Sequence, residues 1–281
     1  SPGFLETADG MVESAIGVFP VPLGLAGPFL IDNKIYYIPV ATEEPSVIAA
    51  ATHAAGLVEK GGGFTTSFHE NIMSVQMFLE NAHSDVLRIV KNKEPKLRRK
   101  VDSIIPSMKK RGGGFRGLAV DYIAQKNTYV LVIDIDVCDA FGANAVNTVG
   151  ERLKPFISDI VDCDILMSIV TNEASKRVAR SFFSLPVRYL RGGEYSGIDL
   201  ARRIVRASTI ADCYPARAVT HNKGIMNGIS AFALATGNDT RGIESAVHYY
   251  AQKSGSYRGL TRFSIKNDSL LGSMESALPF G

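Results

Sequence analysis

The chain has 281 residues, enough to bury a sizeable core and more in keeping with two domains than one. Hydrophobic residues make up 46% and charged residues 21%, which excludes a disordered chain. A net charge of +3 is too small to imply a nucleic-acid partner, although it leaves room for a local basic patch that holds an anionic cofactor. The chain begins Ser1-Pro2-Gly3-Phe4 without a methionine, which points to a trimmed or engineered N-terminus. An extended Pro/Gly-rich apolar segment over 19–28 leads into a hairpin of 29–31 and 35–40 that turns at Asp32-Asn33. Glu43-Glu44-Pro45-Ser46 precedes an alanine-rich helix over 47–60, stopped by Gly61-Gly62-Gly63. So little polar surface predicts that this helix is buried, with Glu43 and Glu44 at its mouth, one favouring the helix dipole and the other free to face a site.

From about residue 70 the texture changes. Residues 72–79 alternate as a strand, and 82–108 form a charged helical region interrupted near Pro95. Two more alternating strands follow over 115–123 and 129–137, then a helix with Val149, Leu153 and Phe156 on one face, then a strand over 165–170. The order β-α-β-β-α-β is the ferredoxin-like pattern. The predicted fold class is therefore α+β: a ferredoxin-like domain over 70–171, inserted into a larger mixed α/β domain formed by 1–69 and 172–281. The larger part continues through a helix over 197–211, a polar stretch over 217–239, a helix over 240–253 and a final strand pair.

That polar stretch is the centre of the chemistry. Arg217, His221, Lys223, Asn227 and Asp239 alternate with apolar residues and three glycines read as loop positions, so the segment is expected to run partly through the interior. A partly buried Lys223 ammonium needs a carboxylate, and Asp239 offers one, with Glu44 as a second acid. An ammonium so fixed can stabilise an oxyanion, and a carboxyl group in an enclosed place can donate a proton to it. The same residues also read as a structural ion pair, with Asp239 capping the next helix. His221 is expected to orient the loop around Lys223. Asp139-Ala140-Phe141-Gly142-Ala143-Asn144 lies between a strand and a helix, where backbone N–H groups can meet a phosphate, but it is not GxGxxG. His53, His69, His83 and His248 have no metal spacing, and neither do Cys138, Cys163 and Cys213. No metal site is expected, and the odd cysteine count fits a reducing, cytosolic compartment. No apolar run reaches membrane-spanning length and no signal-peptide pattern occurs.

Taken in order, Glu43-Glu44-Pro45-Ser46, the segment 139–147, the segment 217–228 and Ala235-Thr236-Gly237-Asn238-Asp239 resemble the signatures of 3-hydroxy-3-methylglutaryl-coenzyme A reductases of the class II branch. The resemblance implies an NAD(P)H-dependent, four-electron reduction of HMG-CoA to mevalonate and free coenzyme A. It places the catalytic glutamate, lysine and aspartate on Glu44, Lys223 and Asp239. Lys223 would stabilise the oxyanion, Glu44 would supply a proton and Asp239 would link them electrostatically. Ser46, Arg217 and Asn227 would hold the hydroxymethylglutaryl group. Asp139, Gly142, Ala143, Asn144, Asn147 and Asn172 would line the nicotinamide nucleotide, bound by the ferredoxin-like domain without a Rossmann fold. It further implies a cytoplasmic homodimer or higher homo-oligomer with its active site at the subunit interface. The family's catalytic histidine follows a Gly-His pair, and no histidine of these 281 residues follows a glycine. The resemblance therefore implies a C-terminally truncated chain. NADPH or NADH would serve as cofactor. Lys109-Lys110-Arg111 leans towards NADPH, since a 2′-phosphate prefers Lys or Arg. Two other readings compete: a non-catalytic CoA-thioester-binding protein, and an RNA-binding module on the ferredoxin-like sheet, although an RNP1-like pattern is missing.

Overall fold

Strands that alternate apolar and polar side chains build a sheet with one dry face, and a neighbouring helix needs only a single apolar stripe to cover it. The computed structural model of the chain describes residues 2–82, 85–190 and 192–281, so His83 lies outside the described residues. A short helix α1 (Pro2–Asp9), not anticipated from the sequence, precedes the hairpin of β1 (Leu23–Ile31) and β2 (Lys34–Ala41). Asp32 and Asn33 both adopt left-handed backbone, with φ of 47° and 63°, as a two-residue type I′ turn requires. The following helix α2 (Val47–Glu59) is not buried all round as expected. Val47, Ile48 and Ala51 pack against Ala26 and Val40 of the hairpin, whereas Ala49, Ala50, His53 and Ala54 are exposed. Alanine is apolar but small, so its count overstates how much surface must leave water.

β3 (Phe64–Phe68) leads into the second sheet through β4 (Ile72–Glu80). The charged region forms three helices: α3 (Val86–Asn92), α4 (Glu94–Ile104) and α5 (Pro106–Lys110). One break was expected near Pro95; the second falls at Pro106, whose ring disfavours helical geometry in the preceding Ile105. β5 (Gly114–Ile123), β6 (Thr128–Asp136), α6 (Ala143–Val161) and β7 (Asp164–Thr171) complete the β-α-β-β-α-β order. The four strands lie in the order β5-β6-β4-β7 and all neighbours run antiparallel. Met73, Val75, Met77 and Leu79 of β4 are fully buried in one cluster with Leu97 and Val101 of α4 and Val149, Leu153 and Ile157 of α6. Each such side chain contributes ~1.5–3 kcal/mol of transfer free energy.

The chain returns as β8 (Val178–Pro186), α7 (Gly197–Cys213), α8 (Pro215–Ala235), α9 (Thr240–Gln252), β9 (Thr261–Lys266) and β10 (Ser269–Ala277). The six-stranded sheet has the order β2-β1-β3-β8-β10-β9, so the architecture is α+β. β3 and β8 were not read from the sequence: β3 is five residues long, and Arg180, Ser181 and Ser184 dilute the alternation in β8. The largest departure is α8. The stretch 217–235, taken as loop, belongs to one 21-residue helix, with Gly224 and Gly228 in its interior. Each costs about 1 kcal/mol against alanine. The buried Ala218, Asn222, Met226, Ala231 and Ala233 offset that cost.

Candidate active site

Helical spacing on α8 sets Lys223, Asn227 and Ser230 at i, i+4 and i+7, hence on one stripe. The connection after β2 crosses this stripe, and Lys223 Nζ donates to Glu44 Oε2 at 2.8 Å. The Glu44 backbone N–H donates to Thr42 Oγ1 at 3.1 Å, which fixes the carboxylate's chain at the rim. These residues, with Glu43, Met226 and Leu234, line a depression of about 390 Å³. From α9 come Thr240 and Glu244, the latter accepting a 2.8 Å hydrogen bond from Ser230. Ser230, Thr240 and Glu244 were missed in the sequence; reading 217–235 as helix would have found Ser230 by its spacing from Lys223.

Lys223 is not partly buried. Its side chain is 62% exposed, and Glu44 is 44% exposed, so the pair is worth ~0–1 kcal/mol of stability. The buried polar residue of the segment is its neighbour Asn222, fully enclosed, whose amide donates to the Arg258 carbonyl at 2.9 Å and accepts from Leu260 N–H at 3.0 Å. Of the two carboxylates expected beside Lys223, Glu44 makes the contact and Asp239 is engaged elsewhere. Asp239 caps α9 through the N–H groups of Arg241 and Gly242, each at 3.1 Å, and meets the Arg241 guanidinium at 3.5 Å.

Asp239 faces a second cavity of about 450 Å³, which it lines together with Phe141, Gly142, Ala143 and Asn144 at the start of α6. The two depressions adjoin through consecutive residues of α9's start, Asp239 in one and Thr240 in the other. Gly142 has φ of +93°, and a Cβ there would lie 2.5 Å from Val137 Cγ1, so the turn admits only glycine without rearrangement. Free N–H groups in the first turn of this 19-residue helix suit an anion such as a nucleotide phosphate. Arg177, also missed in the sequence and only 2% exposed, holds the turn from below by donating to the carbonyls of Ala140 at 3.0 Å, Phe141 at 3.2 Å and Phe280. At the first residue of the turn, Asp139 pairs with Arg111 at 2.8 Å.

Other predicted site residues are not gathered into these depressions. Arg217 sits exposed near the start of α8, six residues and so ~9 Å along the axis from Lys223. Ser46 is exposed at the start of α2 with φ of 71° and makes no capping hydrogen bond. Asn147 Oδ1 accepts from Val170 N–H at 2.8 Å, which commits it to holding the edge strand β7. Asn172 is exposed in the turn after that strand. His221 orients no loop; its Nε2 meets Thr261 Oγ1 at 2.6 Å across to β9.

Burial, then the nearby Arg217 and Arg262 charges, lower the His221 pKa below 6.5. The unfolded chain therefore binds the proton more readily, and His221 favours folding above pH ~6.5 and loses that contribution as pH falls through its folded value. Urea unfolding across this range is expected to show stability rising with pH. In His221→Asn that slope should shrink, and an unchanged slope would remove His221 as its source.

The profile of the family described as hydroxymethylglutaryl-coenzyme A reductase matches residues 3–281. The 3-hydroxy-3-methylglutaryl-coenzyme A reductase of Archaeoglobus fulgidus is 39% identical over 284 residues, covering 99% of this chain and 63% of the relative. The probable enzyme of that name from Borreliella burgdorferi is 35% identical, covering 96% of this chain and 62% of its own length. The chain thus spans under two thirds of both relatives. The solved structure of the Streptococcus pneumoniae reductase superposes with a TM-score of 0.94 at 36% identity, covering 98% of this chain and 76% of that one. A class II structure from the same organism, bound to NADPH in open conformations, gives 0.94 at 35% identity, with the same coverage.

Proposed function

Because the chain belongs to the hydroxymethylglutaryl-coenzyme A reductase family, we propose that the protein carrying it reduces 3-hydroxy-3-methylglutaryl-CoA to mevalonate and coenzyme A with reduced nicotinamide cofactor. The observation that carries this reading is the Lys223–Glu44 pair at 2.8 Å in a depression that adjoins, at Asp239-Thr240, the cavity over the start of α6. Residues 70–171 form the nucleotide-binding domain in this reading, and 1–69 with 172–281 the substrate-binding domain.

The turn 139–144 fits a dinucleotide: free N–H groups, a glycine where a Cβ would collide, and Arg177 bracing it from below. Reduced nicotinamide, bound twice in succession, would supply the two hydrides that reduction of a thioester to an alcohol and a free thiol requires. Lys223 holds the thioester oxygen and takes up the negative charge that grows on it; a carbonyl oxygen becoming an oxyanion gains more from a fixed ammonium than the ground state does. Glu44, already hydrogen-bonded to Lys223, delivers a proton to that oxygen. Asp239 adds a negative charge at the junction of the two depressions. Asn227, on the Lys223 stripe, holds the hydroxymethylglutaryl group together with Arg217 and Ser46, which lie outside the depression, Arg217 through the group's free carboxylate.

The leaning towards NADPH weakens in the folded chain, although a related structure is bound to NADPH. Lys109 is tied to Asp102 at 2.8 Å and Arg111 to Asp139 at 2.8 Å, leaving Lys110 of the three as a cation without a carboxylate partner among the described residues. Steady-state rates with both cofactors are expected to favour NADPH, and a strong preference for NADH would reverse this assignment. A cytoplasmic homodimer fits Val219 and Leu234 of α8, 57% and 49% exposed, and Leu23 and Leu25 of β1, 68% and 64% exposed, apolar surface that a second copy would cover. No helix among the described residues is long and apolar enough to cross a membrane.

Thermal shift tests the reading as a whole. HMG-CoA and NADPH should each raise the melting temperature and an RNA oligomer should not. A response to HMG-CoA without reductase activity in the full-length protein would favour the thioester-binding alternative instead. The RNA reading is disfavoured by the open face of the four-stranded sheet, where Met167 and Ile169 are exposed and Phe78, in register with Met167, is half-buried, so among the described residues no exposed row of rings is offered to bases.

A further inference from the structure

The six-stranded sheet uses its two faces differently. Phe183, Leu185, Phe263 and Leu270 pack with Leu200, Ala201 and Ile204 of α7, so by the two-residue period their neighbours Phe182, Arg262 and Ser273 point to the opposite face. Phe182 and Arg262 flank Ser273 in one cross-strand row, and the next row pairs Arg180 with Glu275. The end of α9 and the loop after it rise beside these rows and enclose a cavity of about 530 Å³. Helix α9 is 13 residues long, so this cavity lies ~20 Å from Asp239 at its other end.

The charges around this cavity do not balance. Arg180, Lys253 and Arg258 line it, with Glu275 as the one lining carboxylate. Glu275 is already taken: it accepts from Arg180 Nε and from the Tyr250 phenol, and lies 3.8 Å from Lys253 Nζ. Arg262, at the wall, turns away to Asp212 at 2.7 Å. Arg258 has no carboxylate within 4.0 Å among the described residues, although its own backbone is pinned by the Asn222 amide. Three cations facing one committed carboxylate in a concave site make a strong local positive potential. Their donors, the Ser254 and Ser273 hydroxyls and the half-exposed Phe182 ring suit an anion with several acceptor oxygens and a small apolar body.

We propose that this cavity is a binding site for a phosphate-bearing small molecule, separate from the reductase site and independent of that assignment. Arg258 and the terminal nitrogens of Arg180 grip the phosphate, Lys253 adds charge, and Phe182 covers the organic part. The probe is inorganic pyrophosphate, titrated calorimetrically into the full-length protein at low ionic strength. Binding is expected, weakening as salt rises, and about tenfold or more weaker in Arg258→Glu, since reversing a charge at a site replaces attraction by repulsion. Arg258 is exposed, so the variant should fold, and an unchanged melting temperature without ligand verifies this. Arg111→Glu, at the partner of Asp139 and outside the lining of this cavity, should leave the affinity unchanged. No heat at millimolar pyrophosphate, or a loss in Arg111→Glu with none in Arg258→Glu, would overturn the proposal.

Discussion

Lys223→Ala is expected to lower the turnover of HMG-CoA by at least ~10²–10³, the loss that follows removal of one donor to a developing oxyanion. HMG-CoA should still bind, because on the proposed reading Arg217, Ser46 and Asn227 also hold the hydroxymethylglutaryl group. The fold should also survive. Lys223 is 62% exposed and its ion pair with Glu44 lies in solvent, so its loss moves stability by no more than ~1 kcal/mol. Steady-state kinetics beside a binding titration separate the two effects: kcat falls while substrate affinity stays. Near-normal turnover would take Lys223 out of the mechanism. A fall in affinity with kcat unchanged would make it a residue of uniform substrate binding.

Glu44→Gln carries the second large effect. The amide is nearly isosteric and its oxygen can still accept from Lys223, so the 2.8 Å contact has a substitute. The amide cannot deliver a proton. Loss of general acid catalysis lowers rates by ~10²–10⁴, and the expected deficit appears in NAD(P)H oxidation at saturating HMG-CoA. An unchanged rate would refute the proton-donor role and leave Glu44 as a structural partner of the lysine. Arg177 sets a useful contrast, because it touches neither proposed reactant. It braces the Ala140 and Phe141 carbonyls beneath the cavity proposed for the nucleotide, so on that reading its influence runs through cofactor affinity.

Much of this arrangement was legible in the sequence, and the failures share a cause. The strand 72–80, the strand 128–136 and helix α6 were readable because each has one dry face and one wet one, and periodicity reports that contrast directly. The Asp32-Asn33 turn was readable because few residues tolerate two successive left-handed positions. Helix α8 was not, because its charged residues and two glycines look like loop when taken singly. Only their spacing at i, i+4 and i+7 betrays the helix. Treating the segment as loop also put burial on the wrong side chain, Lys223 in place of Asn222. Asp239 and Glu44 were both read as acids for Lys223, Asp239 first; Glu44, 179 residues away, makes the contact. Strand order decides that pairing: it sets the end of β2 against α8, and no local pattern encodes it. Arg177 was invisible for the same reason, since a buried arginine that serves only backbone carbonyls leaves no partner residue in the sequence to suggest it.

Lys223 and Glu44 act on one oxygen in this account, so their substitutions should not add. The most direct measurement is a double-mutant cycle on kcat in the full-length protein, comparing Lys223→Ala, Glu44→Gln and the two combined. A double variant scarcely slower than the slower single one is the predicted result. Losses that multiply in full would mean that the two side chains work independently, and would contradict the shared site.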